Sequence, residues 1–227
     1  MATHMLPSTT AAKNDLIKYY KVKPNKAFIF PNALPDTNYL NKNNNHKIGF
    51  LGRLDRSKGV DVLIKAFKKV VDKFNDARLE IAGKGAMEKE LKDLVAALQL
   101  TKRVLFKGII SYNEVPNFLS SINFLVVPSR MDNLPTVALE ALSVATPVIG
   151  SNAGGIPDII IPGYNGLLFE NENSEDLAQK MIELLCKKEG RDLMSVNARK
   201  TFEEKYSMDK HAARFEKLIE EAGNNYV

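Results

Sequence analysis

The chain has one cysteine, no tryptophan and three histidines among its 227 residues. An internal disulfide and a cysteine-rich metal cluster are thereby excluded. Cys186 closes the run Met181-Ile182-Glu183-Leu184-Leu185-Cys186. That is a helical core pattern, in which the thiol reads as a small buried hydrophobe rather than a nucleophile. No apolar run approaches the roughly 20 residues of a membrane-spanning helix. No long block of one charge occurs either: 32 Lys+Arg against 27 Asp+Glu give +5, with the signs alternating along helical stretches. That balance describes a solvated surface, and without a basic patch interleaved with aromatics no nucleic-acid partner is expected. No internal repeat is visible. The opening Met1-Ala2-Thr3-His4-Met5 reads as a cloning remnant, so a missing signal peptide carries no weight and the expected location is cytoplasmic by default.

What is present is ordinary in amount: 44% apolar and 26% charged residues, enough for one good α/β core. From Lys47 onward, short apolar runs alternate with amphipathic helical ones, the pattern of βαβ units around a parallel sheet. Strands are expected at Ile48–Leu51, Arg78–Ala82, Val104–Phe106, Ile122–Val127, Pro147–Gly150 and Gly166–Phe169. The near-continuous apolar run of the fourth places it in the sheet centre, buried on both faces. Between the strands, Val60, Leu63, Ile64, Phe67 and Val70 recur at helical spacing, and further helices are expected over Ala86–Leu98, Asn113–Ser120 and Pro135–Val144, with a short one opened by Gly154-Gly155-Ile156-Pro157. Residues 174–222 read as two or three helices, with Ser174 and Ser207 as N-caps. The predicted fold class is a Rossmann-like, doubly wound parallel sheet of about six strands. Ahead of it, Leu16–Tyr20 reads as the end of a helix, Ala27–Phe30 as a strand, and Asn41–Asn45 as a polar linker.

Ligands of such sheets bind beyond the carboxyl ends of the strands. The chemistry of this chain collects there: Gly52-Arg53-Leu54-Asp55-Arg56-Ser57-Lys58-Gly59 follows the first strand, Gly83-Lys84-Gly85 the second, Lys107-Gly108 the third, and Ser151-Asn152-Ala153-Gly154-Gly155 the fifth. After the fourth comes Pro128-Ser129-Arg130-Met131-Asp132-Asn133-Leu134-Pro135-Thr136-Val137-Ala138-Leu139-Glu140-Ala141. Two carboxylates, Asp132 and Glu140, bracket a helix start whose first N–H groups are orphan donors suited to an anion. Pro135 fits the first turn, where its missing N–H costs nothing. Arg53 supplies a fork and Lys58 a point charge for phosphate. Glu140 sits among Val137, Ala138, Leu139, Ala141 and Leu142, where an unpaired carboxylate is costly and a bound partner is the natural remedy. Gly83-Lys84-Gly85 lacks the third glycine of a dinucleotide fingerprint and reads first as a turn shaping the pocket.

These blocks resemble the donor half of the family 4 retaining glycosyltransferases of GT-B fold. The likeness runs through Gly52-Arg53-Leu54, Lys58 to Phe67, Leu79 to Gly83, Val104 to Gly108 and Pro128 to Ile149, and on through Gly154-Gly155-Ile156-Pro157 to Leu168. Asp132 stands for the first Glu of the family's Glu-x7-Glu motif. Departures from the family pattern are visible at the shorter Asp132, at Ala145 in place of a usual Gly, and at Ala33 and Asp158. An acceptor-binding N-terminal domain of similar size is also missing, so the chain is expected to be an excised C-terminal half. Its expected division is residues 1–46 as remnant, end of a preceding domain and linker, 47–205 as nucleotide-sugar domain, and 206–227 as a helix crossing towards the missing domain.

The resemblance implies that Arg53 and Lys58 hold the donor diphosphate, Glu140 the ribose hydroxyls and Asp132 the donor sugar. It implies contacts from Gly83 and from the backbone at Asn133, Leu134, Pro135, Thr136 and Val137, and passage of the nucleobase along Gly108, Ile109 and Ile110. No metal or other cofactor is expected: the cations take the role a metal plays elsewhere. The implied partners are a nucleoside-diphosphate sugar (UDP, GDP or ADP) and, through the missing domain, a glycan or lipid-linked acceptor, with peripheral attachment of the whole protein to the inner face of a membrane allowed. Two other readings stay open: a nucleotide-sugar-binding module without turnover, and a GT-B relative such as a sugar-nucleotide epimerase or a phosphorylase.

Overall fold

The computed structural model describes residues 4–37, 39–41 and 46–223. Residues 1–3 of the expected remnant, 42–45 of the expected linker and 224–227 of the expected C-terminal segment lie outside the described residues.

The sheet holds six parallel strands: β1 (Lys47–Leu51), β2 (Arg78–Ala82), β3 (Val104–Gly108), β4 (Phe124–Val127), β5 (Val148–Ser151) and β6 (Gly166–Phe169). Their spatial order is β3-β2-β1-β4-β5-β6. The register runs Ile48 against Leu79 on one side of β1 and against Phe124 on the other. Strand alternation divides the core in two. Ile48, Phe50, Phe124, Val126 and Ile149 face one apolar cluster, while Leu125, Val127 and Val148 face the other.

Three helices cover the first face: α2 (Val60–Lys73), α3 (Glu88–Ala97) and α7 (Ser174–Cys186). The second face is covered by α4 (Val115–Ser120), α5 (Thr136–Ser143), the short α6 (Ile156–Ile159) and α8 (Lys188–Lys205). On α2 the expected stripe of Val60, Leu63, Ile64, Phe67 and Val70 is fully sequestered, and each such side chain contributes roughly 1.5–3 kcal/mol of transfer free energy. The cluster at the second face needs room at Gly49, where a Cβ would stand 2.3 Å from Ile122 Cδ1.

Several expectations need correction. The fourth strand starts at Phe124, because Ser121 and Ile122 still belong to the turn that ends α4, their N–H groups donating to the Phe118 and Leu119 carbonyls. Asn173 caps α7, its Oδ1 accepting from Glu175 and Asp176 N–H at 3.0 Å, so Ser174 is the first helical residue. Cys186 is exposed. It occupies the last position of α7, one step past the stripe that Met181, Leu184 and Leu185 bury. Ala27–Phe30 does not join the sheet. It pairs with Met5–Pro7 through Met5 N to Lys26 O, Phe28 N to Met5 O and Phe30 N to Pro7 O, at 2.8–2.9 Å. Pro7 and Pro31 have no N–H to extend that ladder. Ala145, where the resemblance expects glycine, takes φ 60, a left-handed conformation that costs a side chain roughly 1–2 kcal/mol.

The lead-in helix α1 (Thr10–Lys18) ends with Tyr19 as its C-cap. The last helix, α9 (Met208–Gly223), returns to this lead-in: Phe30 packs its ring against His211 and Phe215, with centroids 4.3 and 6.0 Å apart.

Candidate functional site

The strand order reverses between β1 and β4, so the chain leaves these neighbours in opposite directions and opens a crevice at their carboxyl ends. A cleft of about 350 Å³ lies there, walled by Gly52, Arg53 and Lys58 after β1, Ser129 and Asp132 after β4, and Leu134, Pro135, Thr136, Val137 and Glu140 at the start of α5. Eight of the residues singled out in the sequence are thus gathered in one place. Gly83, Gly108, Ile109 and Ile110 are not among its walls. They continue along the same sheet edge, where Gly83 N–H donates to Gly108 O at 2.7 Å and a Cβ on Gly83 would fall 1.8 Å from Gly52 O. Asn133 also turns away, its side chain engaged by Ser8 and Thr9 of the lead-in.

The two loops that form the cleft are fastened together by Arg130, whose part the sequence did not disclose. Its guanidinium holds Asp61 of α2 through two bonds of 2.8 and 2.9 Å, Glu172 at 2.6 Å and the Arg56 carbonyl at 2.6 Å, while its own N–H donates to Ser57 O. Burial pushes the Asp61 carboxyl up, but the Arg130 fork and charge outweigh it and hold it below its ordinary value. Such a bidentate pair carries geometry as well as energy. Beneath the second loop, Gly155 N–H donates to Asp132 O at 2.9 Å, and Cβ atoms on Gly154 and Gly155 would lie 2.1 Å from Asp132 O and 1.8 Å from Asn133 O. The Gly154-Gly155 pair is therefore a floor that lets backbone pass under Asp132 and Asn133.

Lys58 and Asp132 form an ion pair across the cleft, Nζ to Oδ2 at 2.5 Å, with side chains only 22% and 15% exposed. Ser129 Oγ stands 3.4 Å from the same oxygen. Arg53 is different: 76% exposed, it reaches only Asp55 among the described residues, at 3.2 Å, and its charge is screened by water. Glu140 faces the cleft from the second turn of α5. Among the described residues nothing hydrogen-bonds to its carboxylate, and desolvation alone pushes its pKa above the ordinary glutamate value.

That shift fixes a pH dependence. The folded-state pKa exceeds the unfolded one, so folding binds an extra proton and stability falls as pH rises from about 4.5 through the folded value. Glu140→Gln is expected to remove this component: melting temperature above pH 6 rises relative to the parent, and the gap closes towards pH 4. An unchanged gap across that range in a thermal-melt series would show that Glu140 is solvated.

The start of α5 departs slightly from expectation. Pro135 is the N-cap, with φ −66, rather than a first-turn residue, and no side chain caps the helix. Ala138 N–H bonds back to Pro135 O, and Thr136 and Val137, whose N–H groups precede the first intrahelical bonds, line the cleft as helix-start residues. Lys58 and Arg53 add positive charge to those donors, and Asp132 and Glu140 are the two carboxylates of the same cleft. A ligand with a polyanionic centre and hydroxyls on either side fits that arrangement. Among the described residues no cluster of three or more His, Cys, Asp or Glu could hold a metal, and no helix is long and apolar enough to cross a membrane. A larger cavity, about 820 Å³, lies elsewhere, under α8 at the opposite edge of the sheet. Its size exceeds the cleft's, but it lacks the convergence of strand ends and helix start that defines the switch point.

The model of the family described as "Glycosyl transferases group 1" matches residues 36–201. An uncharacterized glycosyltransferase of Methanocaldococcus jannaschii is 34% identical over 209 residues, covering 92% of this chain and 57% of that protein. Among solved structures, Anabaena Alr3699/HepE in complex with UDP matches with a TM-score of 0.89 at 18% identity, covering 97% of this chain and 64% of that one. The C-terminal domain of a glycosyl transferase group 1 family protein (LpcC) from Francisella tularensis matches with a TM-score of 0.68 at 28% identity, covering 75% of this chain and 89% of that one. The chain spans about half the length of the curated relatives it matches.

Proposed function

This chain belongs to the group 1 glycosyl transferases, and from that premise we propose that it is the donor-binding half of a retaining, family 4 glycosyltransferase that takes a sugar from a nucleoside diphosphate. The observation that carries the reading is the cleft itself: at the switch point of the sheet, Lys58, Arg53 and the bare start of α5 face the space between two carboxylates, Asp132 and Glu140.

In this reading the diphosphate lies over the Thr136 and Val137 N–H groups and draws Lys58 from Asp132. The ribose hydroxyls meet Glu140, which stays ionised by accepting them, and the base runs towards Gly108–Ile110. The donor sugar meets Asp132 and the backbone of Asn133 and Leu134. As the glycosidic bond breaks, negative charge grows on the diphosphate, and Lys58, Arg53 and the helix start stabilise it electrostatically without a metal. An acceptor, glycan or lipid-linked, arrives from a domain outside this chain, and the division at residues 46 and 205 separates lead-in, donor domain and crossing helix. The UDP complex of the Anabaena neighbour supports trying uridine donors first.

Calorimetric titration of the chain with UDP, GDP, ADP and their glucose or mannose conjugates tests the proposal. One base is expected to bind, weakly, and the chain alone is expected to transfer no sugar, because orientation of the acceptor supplies much of the rate. Transfer at ~1 per second, an ordinary enzymatic rate, would show that the site is complete without a second domain. A chain that bound none of the nucleotides would contradict the donor reading.

A further inference from the structure

Asn133 stands next to Asp132, and neither end of its amide faces the cleft. Oδ1 accepts from Thr9 Oγ1 at 2.6 Å, and Nδ2 donates to Ser8 Oγ at 3.0 Å. Thr9 itself is fully buried, and its hydroxyl also accepts from Ala12 N–H at 3.2 Å as the N-cap of α1. A cap needs only the accepting lone pair. The donated bond to Asn133, which spans 124 positions, is additional. The same lead-in is fastened on its other side, where Thr10 N–H donates to Asp158 Oδ2 at 2.5 Å. A Cβ on Gly155 would meet both Asn133 O and Thr9 Cγ2, the latter at 2.4 Å. The 131–133 loop and the 153–155 floor are thus packed backbone to backbone, and the lead-in joins them through the Thr9 side chain.

Asp132 also forms the boundary between the cleft and a second cavity of about 580 Å³ whose far wall is α1, with Ala11, Asp15 and Tyr20. Its carboxylate has one strong tether, Lys58, and that is the cation a diphosphate would draw away. Once Lys58 turns to phosphate, the direction of Asp132 depends on how firmly its loop is held. We propose that Thr9 is a positioning residue of the sugar end of the donor site: its hydroxyl fixes Asn133 and thereby aims Asp132 at the donor sugar. This rests on the donor reading above, and it makes the lead-in segment part of the site.

The test uses Thr9→Val, Thr9→Ser, Asn133→Ala and the Thr9→Val/Asn133→Ala double variant of the chain. Two readouts are taken: calorimetric affinity for UDP, GDP or ADP and its glucose or mannose conjugate, and hydrogen exchange at the amides of 131–134 and 155 without ligand. Thr9→Val is expected to weaken the sugar nucleotide roughly fivefold to tenfold, as one lost hydrogen bond does, while the bare diphosphate changes by less than about twofold. Thr9→Ser keeps the hydroxyl and restores affinity, and the double variant is no worse than Asn133→Ala, because the Thr9–Asn133 bond is already broken in either single variant. Equal affinities for Thr9→Val and Thr9→Ser, or equal losses for both ligands, would overturn the inference. If the parent bound no nucleotide, the donor reading would fail, and exchange would still decide the positioning: faster exchange in Thr9→Val but not Thr9→Ser upholds it, and unchanged exchange overturns it. Should Thr9→Val not fold, Asn133→Ala breaks the same bond from its exposed end and is judged by the same readouts.

Discussion

Lys58→Ala is expected to weaken nucleoside-diphosphate binding by about 2–4 kcal/mol, or roughly 30- to 1000-fold. Two effects act in the same direction. The variant loses a charge-assisted bond to phosphate from a side chain only 22% exposed, and it leaves Asp132, 15% exposed, with no counter-charge and turned towards an incoming polyanion. Arg53→Ala should cost far less, no more than about 1 kcal/mol, because a side chain 76% exposed acts through water. The sequence treats these two cations as equivalent, whereas the structure separates them. Calorimetry on both variants with the nucleotide the parent binds checks the ranking, and a Lys58→Ala affinity within threefold of the parent would remove Lys58 from the site.

Gly59→Ala should cost roughly 2–5 kcal/mol of folding stability, the sum of a left-handed backbone and a steric clash. Gly59 has φ 64, and a Cβ there would stand 2.0 Å from Pro128 O, a backbone atom of the loop that carries Asp132. The contact joins the β1–α2 loop to the β4–α5 loop, so donor affinity should fall with stability. Gly163→Ala is the matched control: φ is 78, but no atom lies within 4 Å, and only the backbone contribution of roughly 1–2 kcal/mol should appear. Urea midpoints of the two variants separate strain from clash. Equal midpoints would mean that the two loops part easily.

The sheet was legible in the sequence because each strand carries its own local signal, an apolar run, which in β1, β2, β3 and β5 ends at glycine and in β4 is buried throughout. The six strands and their helices follow that pattern, with boundaries shifted by a residue or two where a turn competes, as at Ser121 and Ile122. Glu140 was legible for a similar reason: a carboxylate within an apolar helical run has either a partner or a task. What sequence spacing could not give is pairing between distant segments. The Lys58–Asp132 ion pair, the Arg130–Asp61 fork and the Thr9–Asn133 bond join residues 74, 69 and 124 positions apart. Each depends on loop geometry at the strand ends rather than on any local preference. Asn133 shows the consequence: adjacent to Asp132 in sequence, it is turned by the pleat of the loop to the opposite side. Cys186 failed by one helical step, where the stripe of α7 runs out.

On the proposed donor reading, a nucleoside diphosphate enters the cleft between β1 and β4 rather than the larger cavity under α8. A crystal structure of the chain grown with the diphosphate that binds it most tightly tests this directly. Diphosphate oxygens are expected within hydrogen-bond distance of Lys58 Nζ and the Thr136 and Val137 N–H groups, with ribose hydroxyls on Glu140. Nucleotide seated against Arg191 and Arg199 in the cavity beneath α8, with the Lys58–Asp132 pair undisturbed, would contradict it.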